Sequence, residues 1–171
     1  MKQPIMHHIP PGNVMDIQIR EAESHELPAL LRLYEHLHAE DEPLPDAATV
    51  AQVWSELCSD PKLHCLVAIM DETPVASCIL AIIPNLTRGA RPYGLIENVV
   101  THADYRRRGI GTALLRHALA IAWQHNCYKV MLLTGRKDES VLRFYEKAGF
   151  RQGVKTGFIA YPDDYAGAHN S

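Results

Sequence analysis

The residues best suited to chemistry are clustered in Arg106-Arg107-Arg108-Gly109-Ile110-Gly111-Thr112-Ala113-Leu114. Two glycines let a backbone come close to a ligand, and the first amides of a helix present unpaired N–H groups at the positive end of its dipole. Such a turn is built to receive an anion, and the arginines add positive charge around it. It is not a nucleoside-triphosphate loop, because G-x-x-x-x-G-K-[ST] is absent. Nor is it a dinucleotide fingerprint, since Leu114 stands where the third glycine would be. A second group of interest is Glu97-Asn98, polar residues inside the apolar run Leu95 to Val100.

The flanking pattern says which elements position these groups. Ile17 to Arg20 alternates as a short strand does, and His25 to His38 carries Leu27, Leu30, Leu31, Tyr34 and Leu37 at helical spacing with Ser24 as N-cap. Asp41 to Asp46 holds two prolines and reads as loop; Thr49 to Ser59 makes a second amphipathic helix closed by Pro61. His64 to Met70 and Val75 to Ile83 form a hairpin across Asp71-Glu72-Thr73-Pro74, and Gly94 to Thr101 is the next strand. A long helix follows from Gly109 to Asn126, with Ile110, Ala113, Leu114, His117 and Ile121 on one stripe. Tyr128 to Leu133 is a strand, Glu139 to Ala148 a helix capped by Gly149, and Phe150 to Tyr161 a last extended segment. The expected architecture is a single mixed α/β domain over residues 16–161, between a flexible lead (1–15) and a flexible tail (162–171).

Composition narrows the function. A chain of 171 residues with 47% apolar and 22% charged side chains can bury one sizeable core. Its apolar runs fall far short of the roughly 20 residues that cross a bilayer, and the N-terminus has no secretory h-region, so a cytoplasmic protein with no membrane partner is expected. Cys58, Cys65, Cys78 and Cys127 are scattered without a C-x-x-C pair and read as buried free thiols. The ten histidines show no metal spacing, so no metal is expected. Net charge is −3 and no further basic clusters with interleaved aromatics occur, which argues against nucleic acid. Charge is uneven, however. The first 60 residues carry eleven carboxylates against three basic side chains, a net −8; the other 111 carry 14 basic and 9 acidic, a net +5. Solvated helix faces are one reading, and an acidic side that attracts a cationic ligand is the other.

The glycine turn resembles the acetyl-CoA signature of the GNAT superfamily of N-acetyltransferases: Arg106, Gly109 and Gly111 match its Arg/Gln, Gly and Gly/Ala positions. Arg143-Phe144-Tyr145-Glu146-Lys147-Ala148-Gly149-Phe150 is similar to the family's second motif, a helix-borne Tyr before a Gly-Phe turn. The resemblance spans residues 17–161 and implies the GNAT fold, a mixed twisted sheet flanked by helices, with acetyl-CoA as co-substrate. Carried over position by position, the amides of Arg107, Arg108, Gly109, Ile110, Gly111 and Thr112 hold the pyrophosphate. Arg106 opens that set, and Val99, Val100 and Thr101 pair with the pantetheine arm. Asp138 and Ser140, at the start of the Tyr145 helix, complete the cofactor-binding residues, although Asp138 stands where many members have Asn. The chain after Gly149 is also short for the family's closing hairpin, so the last strand is either missing or supplied by a second copy in a homodimer.

Acetyl transfer needs a neutral amine. A lysine-like amine with a pKa of about 10.4 would cost about 4.6 kcal/mol to deprotonate at pH 7, which gives a general base value. Glu97 is the candidate base and Tyr145 the candidate acid for the leaving thiolate, with the Val99 amide polarising the carbonyl. The expected reaction is direct acetylation of a primary amine on a small, cationic acceptor. Acetylation of protein N-termini or lysines, a longer acyl chain, and a silent acyl-CoA-binding sensor module are the alternatives. Retention of both Glu97 and Tyr145 favours the enzyme.

Overall fold

The computed structural model describes residues 17–37 and 41–162. The chain divides into two compact units, Met1–Leu132 and Leu133–Ser171. The first contains a five-stranded sheet in the order β1-β2-β3-β4-β5, antiparallel except for the parallel β4–β5 pair. The expected lead, and the tail beyond residue 162, lie outside the described residues.

Strand β1 (Gln18–Glu21) runs antiparallel to β2 (Leu63–Met70). A one-turn 3-10 helix, Ser24–Glu26, leads into α1 (Leu27–Tyr34). Ser24 is therefore not the N-cap expected of it. The Glu26 carboxylate turns back to accept the Glu23 N–H at 2.7 Å, starting the helical path one residue earlier. α1 is shorter than the apolar spacing suggests because its end tightens: His36 N–H bonds to the Leu33 carbonyl at 3.1 Å and Leu37 N–H to Tyr34 at 2.8 Å. Helix α2 (Ala47–Ser59) begins two residues before the expected Thr49. Asp46 Oδ1 accepts from both the Ala48 and Thr49 amides at 3.0 Å, a cap that the reading from apolar period passed over.

The β2–β3 hairpin (β3, Thr73–Ile83) closes on two residues rather than four. Asp71 and Glu72 have φ +47° and +60°, the left-handed pair that matches strand twist, and Met70 faces Thr73 directly. Pro74, which has no N–H, enters β3 where the register shifts at Ala68/Ile69. The β3–β4 connection contains a short turn, α3 (Thr87–Ala90), whose residues Arg88, Gly89 and Ala90 are all left-handed. Asn85 Nδ2 fastens it to the Thr87 and Arg91 carbonyls at 2.7 and 3.2 Å.

Residues on alternate sides of the sheet face different helices. Cys65, Val67, Ile69 and Val100 form a core with Leu30 and Leu33 of α1, and Ile79, Trp54 and Leu57 pack against it. The other side, with Leu66, Ala68, Cys78, Leu80 and Ile96, is equally buried. Helix α4 (Ile110–Gln124) covers that side; His125, its C-cap, sets its ring 5.2 Å from that of His64. The buried α4 residues are Ile110, Gly111, Leu114, Leu115, Ala118 and Ala122, so the expected stripe through Ala113, His117 and Ile121 is rotated. Gly111, Ala118 and Ala122 are the cause, since small residues let the helix axis approach the strands.

Strand β5 is only Val130–Leu132, not Tyr128 to Leu133. Tyr128 N–H bonds to the Pro92 carbonyl and Gly94 N–H to the Lys129 carbonyl, both at 2.9 Å, but the ladder stops at Ile96↔Leu132. In the second unit, α5 spans Glu139–Ala148 as read from the sequence, with Gly149 at φ +112° ending it. Phe150 to Tyr161 is not a strand: a turn carrying Gly153 at φ +72° interrupts it, and Phe158, Ile159 and Tyr161 stand exposed. Among the described residues no helix is long and apolar enough to cross a membrane.

Candidate active site

Strand β4 (Tyr93–Thr101) organises the site. Its first half pairs on both edges, Gly94, Leu95 and Ile96 facing Val130, Met131 and Leu132 on one side and Ile82, Ala81 and Leu80 on the other. The next residues do not continue that pattern. Glu97 faces Ile79, but Val100 faces Ser77, so β4 carries an extra residue there. Asn98 provides it by turning left-handed, φ +53°, a conformation Asn tolerates better than most residues. Among the described residues, β5 ends before this bulge, leaving the β5-side edge of Glu97 to Thr101 without a strand partner.

The bulge distributes side chains. Glu97, opposite Ile79, lies on the sheet side that α1 and α2 cover and remains exposed. Val100 is buried in the α1 core, Val99 and Thr101 half-buried, so these three residues can offer a ligand their backbone more than their side chains.

Past Thr101, a 3-10 turn at Ala103–Tyr105 is capped by His102, whose Nδ1 accepts the Asp104 N–H at 3.2 Å. Arg107 and Gly109 then adopt left-handed φ of +64° and +81°, and α4 starts at Ile110. The first intrahelical bond runs from Ala113 N–H to the Gly109 carbonyl at 3.0 Å, which leaves the amides of Ile110, Gly111 and Thr112 as the orphan donors of the helix start. A Cβ added to Gly109 would meet nothing within 4 Å, so the cradle is open above it. Ile110 is buried, so only its backbone could serve a ligand; Arg107 and Arg108 are exposed, with the Arg108 guanidinium 5.2 Å over the Tyr105 ring. Arg106 behaves differently from its neighbours: its side chain donates to the carbonyls of Thr101 and His36 at 3.0 and 3.2 Å. Neither that latch nor the left-handed Asn98 was part of the sequence reading, although an Asn beside a polar residue in an apolar strand was its visible trace.

One strand, one loop and one helix start thus bring together Glu97, Val99, Val100, Thr101 and the Arg106 to Thr112 segment. The remaining candidates share α5 in the second unit. The Asp138 carbonyl accepts from Val141 and Leu142 at 2.9 and 3.1 Å; Asp138 and Ser140 are exposed. Tyr145 is half-buried, its ring 4.9 Å from Phe144 and 6.4 Å from Phe150. The Phe150 N–H returns to the Tyr145 carbonyl at 3.1 Å, fixing the Gly-Phe turn behind it.

Helix-start amides near a β4 stretch that, among the described residues, has no strand partner on its β5 side, with the exposed Glu97 carboxylate on the same strand, could bind an extended phosphorylated cofactor and present its far end to a base. The acetyltransferase (GNAT) family pattern matches residues 27–150. A glucosamine 6-phosphate N-acetyltransferase from Trypanosoma brucei brucei is 35% identical over 145 residues, covering 81% of this chain and 92% of that protein. N-alpha-acetyltransferase 30 of Homo sapiens is 26% identical over 153 residues, 88% of this chain and 39% of its own length. The solved structure of a putative acetyltransferase from Agrobacterium tumefaciens str. C58 superposes with a TM-score of 0.79 at 46% identity, covering 84% of this chain and 99% of that one. The chain belongs to the GNAT family of acetyltransferases and is an acetyl-CoA-dependent N-acetyltransferase.

Proposed function

We propose that the acetyl group passes directly from acetyl-CoA to a primary amine on a small molecule that arrives as a cation, both substrates being bound at once. The observation that carries this reading is the position of Glu97, exposed on the α1 side of the sheet where β4 bulges beyond the end of β5. In this scheme the amides of Arg107 to Thr112 hold the pyrophosphate and the edge of Val99 to Thr101 pairs with the pantetheine. Glu97 takes a proton from the ammonium, directly or through a water; the amine nitrogen attacks the carbonyl carbon while the Val99 N–H stabilises its oxygen. As the C–N bond forms and the C–S bond breaks, the Tyr145 hydroxyl gives its proton to the thiolate; the second proton that the nitrogen sheds in becoming an amide passes through water to restore that hydroxyl, and Glu97 returns its own proton to solvent. Asp138 and Ser140 stand at the N-terminal end of the Tyr145 helix as further cofactor contacts.

The exposed carboxylates Asp41 and Glu42 favour a cationic acceptor; Glu40 lies outside the described residues. The Trypanosoma relative acts, by its name, on an amino sugar phosphate, which carries an ammonium although its phosphate makes the whole molecule anionic, so it sets the amine chemistry against the cationic preference. That acceptor is the first to test, ahead of polyamines and amino acid derivatives. The human relative's name makes peptide N-termini the competing class. Thiol release from acetyl-CoA across these amines, with Glu97→Gln and Tyr145→Phe as paired variants, tests the scheme. Turnover on one class that falls in both variants supports it. Tight CoA binding without turnover on any amine or peptide overturns it in favour of a sensor.

A further inference from the structure

Arg106 opens the segment assigned to anion binding, yet its guanidinium is spent on two backbone carbonyls from different parts of the chain. Nε donates to Thr101, the last residue of β4, at 3.0 Å, and Nη2 donates to His36, two residues beyond α1, at 3.2 Å. The same two segments touch again through rings: His36 and His102 lie 4.2 Å apart, and His102 is 5.5 Å from Tyr105. Just upstream, the Tyr34 ring is largely buried at the end of α1 and packs on the core formed with Cys65, Val67 and Val100. The C-terminal turn of α1 is thus anchored on one side by packing and on the other by Arg106.

The consequence follows from where the two carbonyls sit. Thr101 ends the strand whose edge receives the pantetheine. His36 lies in the turn that follows α1, the helix covering the sheet side on which Glu97 stands and from which, in the proposed scheme, the amine approaches. We propose that Arg106 is a positioning residue that fixes the α1 end against the thioester strand, so that the acceptor wall and the acetyl group keep one register. Its planar fork reaches two carbonyls at once, which a lysine ammonium on a flexible stem does not reproduce. The cofactor's phosphates are left to the amides after it. This inference rests on the reading that the acceptor binds on the α1 side.

The test is initial-rate kinetics of Arg106→Lys and Arg106→Ala, with acetyl-CoA and amine varied separately, alongside hydrogen exchange at the His36 and Leu37 amides. Both variants are expected to raise the acceptor KM about tenfold and lower kcat, with the acetyl-CoA KM within about twofold of the parent. Protection at His36 and Leu37 should drop about tenfold in both. A raised acetyl-CoA KM with unchanged acceptor KM, or full rescue by lysine, would show a charge contact to the cofactor and overturn the proposal. Should no amine be acetylated by the unaltered protein, the acceptor reading fails by itself, and CoA affinity and exchange decide this one. Unchanged affinity with lost protection upholds it; weakened affinity with protection intact sinks it.

Discussion

Glu97 stands directly opposite Ile79 in the β3–β4 ladder, and Ile79 packs on the α1 core, so the carboxylate points to the helix side of a strand whose next residue is left-handed. A regular strand would place Val100 opposite Ala76, on Cys78's side of the sheet, and turn it toward α4. The extra residue at Asn98 restores Val100 to the α1 core and at the same time lifts the β4 backbone out of line with β5. One backbone irregularity therefore serves both the core and the site.

If Glu97 deprotonates the incoming ammonium, Glu97→Gln should lower kcat/KM by about 10² to 10⁴ at pH 7, the usual range for a lost general base. The deficit should shrink as pH rises toward the pKa of the amine, because solution then supplies the neutral form. A pH–rate profile of both proteins checks this; parallel profiles over the whole range would remove Glu97 from proton transfer.

Gly109 and Gly89 make a matched pair. Both are left-handed, φ +81° and +71°, and a Cβ at either meets nothing within 4 Å. Alanine at either site should cost about 1 kcal/mol of stability through backbone strain alone. Only Gly109→Ala puts a methyl over the cradle, so only it should raise the acetyl-CoA KM, by about tenfold, equivalent to about 1.4 kcal/mol. Urea midpoints and KM values for the two variants separate strain from ligand contact.

What could be read from the sequence was what local rules decide. The bounds of α5 follow from its apolar spacing and from Gly149, which takes the left-handed cap position, and the start of α4 follows from Gly109, left-handed just before Ile110, whereas the left-handed Arg107 has no such signal. Membership in the acetyltransferase family was legible for the same reason, since both motifs are contiguous. Features set by distant residues were not. β5 ends at Leu132 because β4 has no straight edge left to offer beyond Ile96, and nothing in Tyr128 to Leu133 announces that. The buried α4 face departs from the apolar spacing because Gly111, Ala118 and Ala122 are buried by closeness to the sheet rather than by size. The Arg106 latch joins positions 70 residues apart, beyond the reach of any spacing rule.

The four thiols should differ sharply in reactivity. Burial pushes the Cys65 thiol up to about 11 and holds that of Cys78 well above the ordinary range, while Cys58 is the exposed one. Titration of the native protein at pH 8 with an aromatic disulfide reagent should therefore modify Cys58 alone, with all four thiols reacting after unfolding. Fast modification of Cys65 or Cys78 in the native state would mean that the β2–β3 core opens.

The sharpest pH signature should come from Glu26. Its side chain is 7% exposed, and Arg20 grips it twice, at 2.8 and 2.9 Å, while the Glu23 N–H adds a third bond at 2.7 Å. Burial pushes the carboxyl upward, but the Arg20 hydrogen bonds, the Glu23 amide and the guanidinium charge together outweigh it and hold the group below the usual carboxylate range. A carboxyl lowered on folding contributes stability that is complete above its unfolded pKa of about 4.3 and is lost as pH falls through the folded value. Glu26→Gln should cost about 2 kcal/mol at pH 7, the order expected for hydrogen bonds to a charged group. The gap between variant and parent should narrow below about pH 4.3. Urea unfolding at pH 7 and in a series from pH 5 downward reads both effects. A gap that stays constant into acid would mean that Glu26 acts by shape and not by charge, and that the β1–α1 junction is held by packing alone.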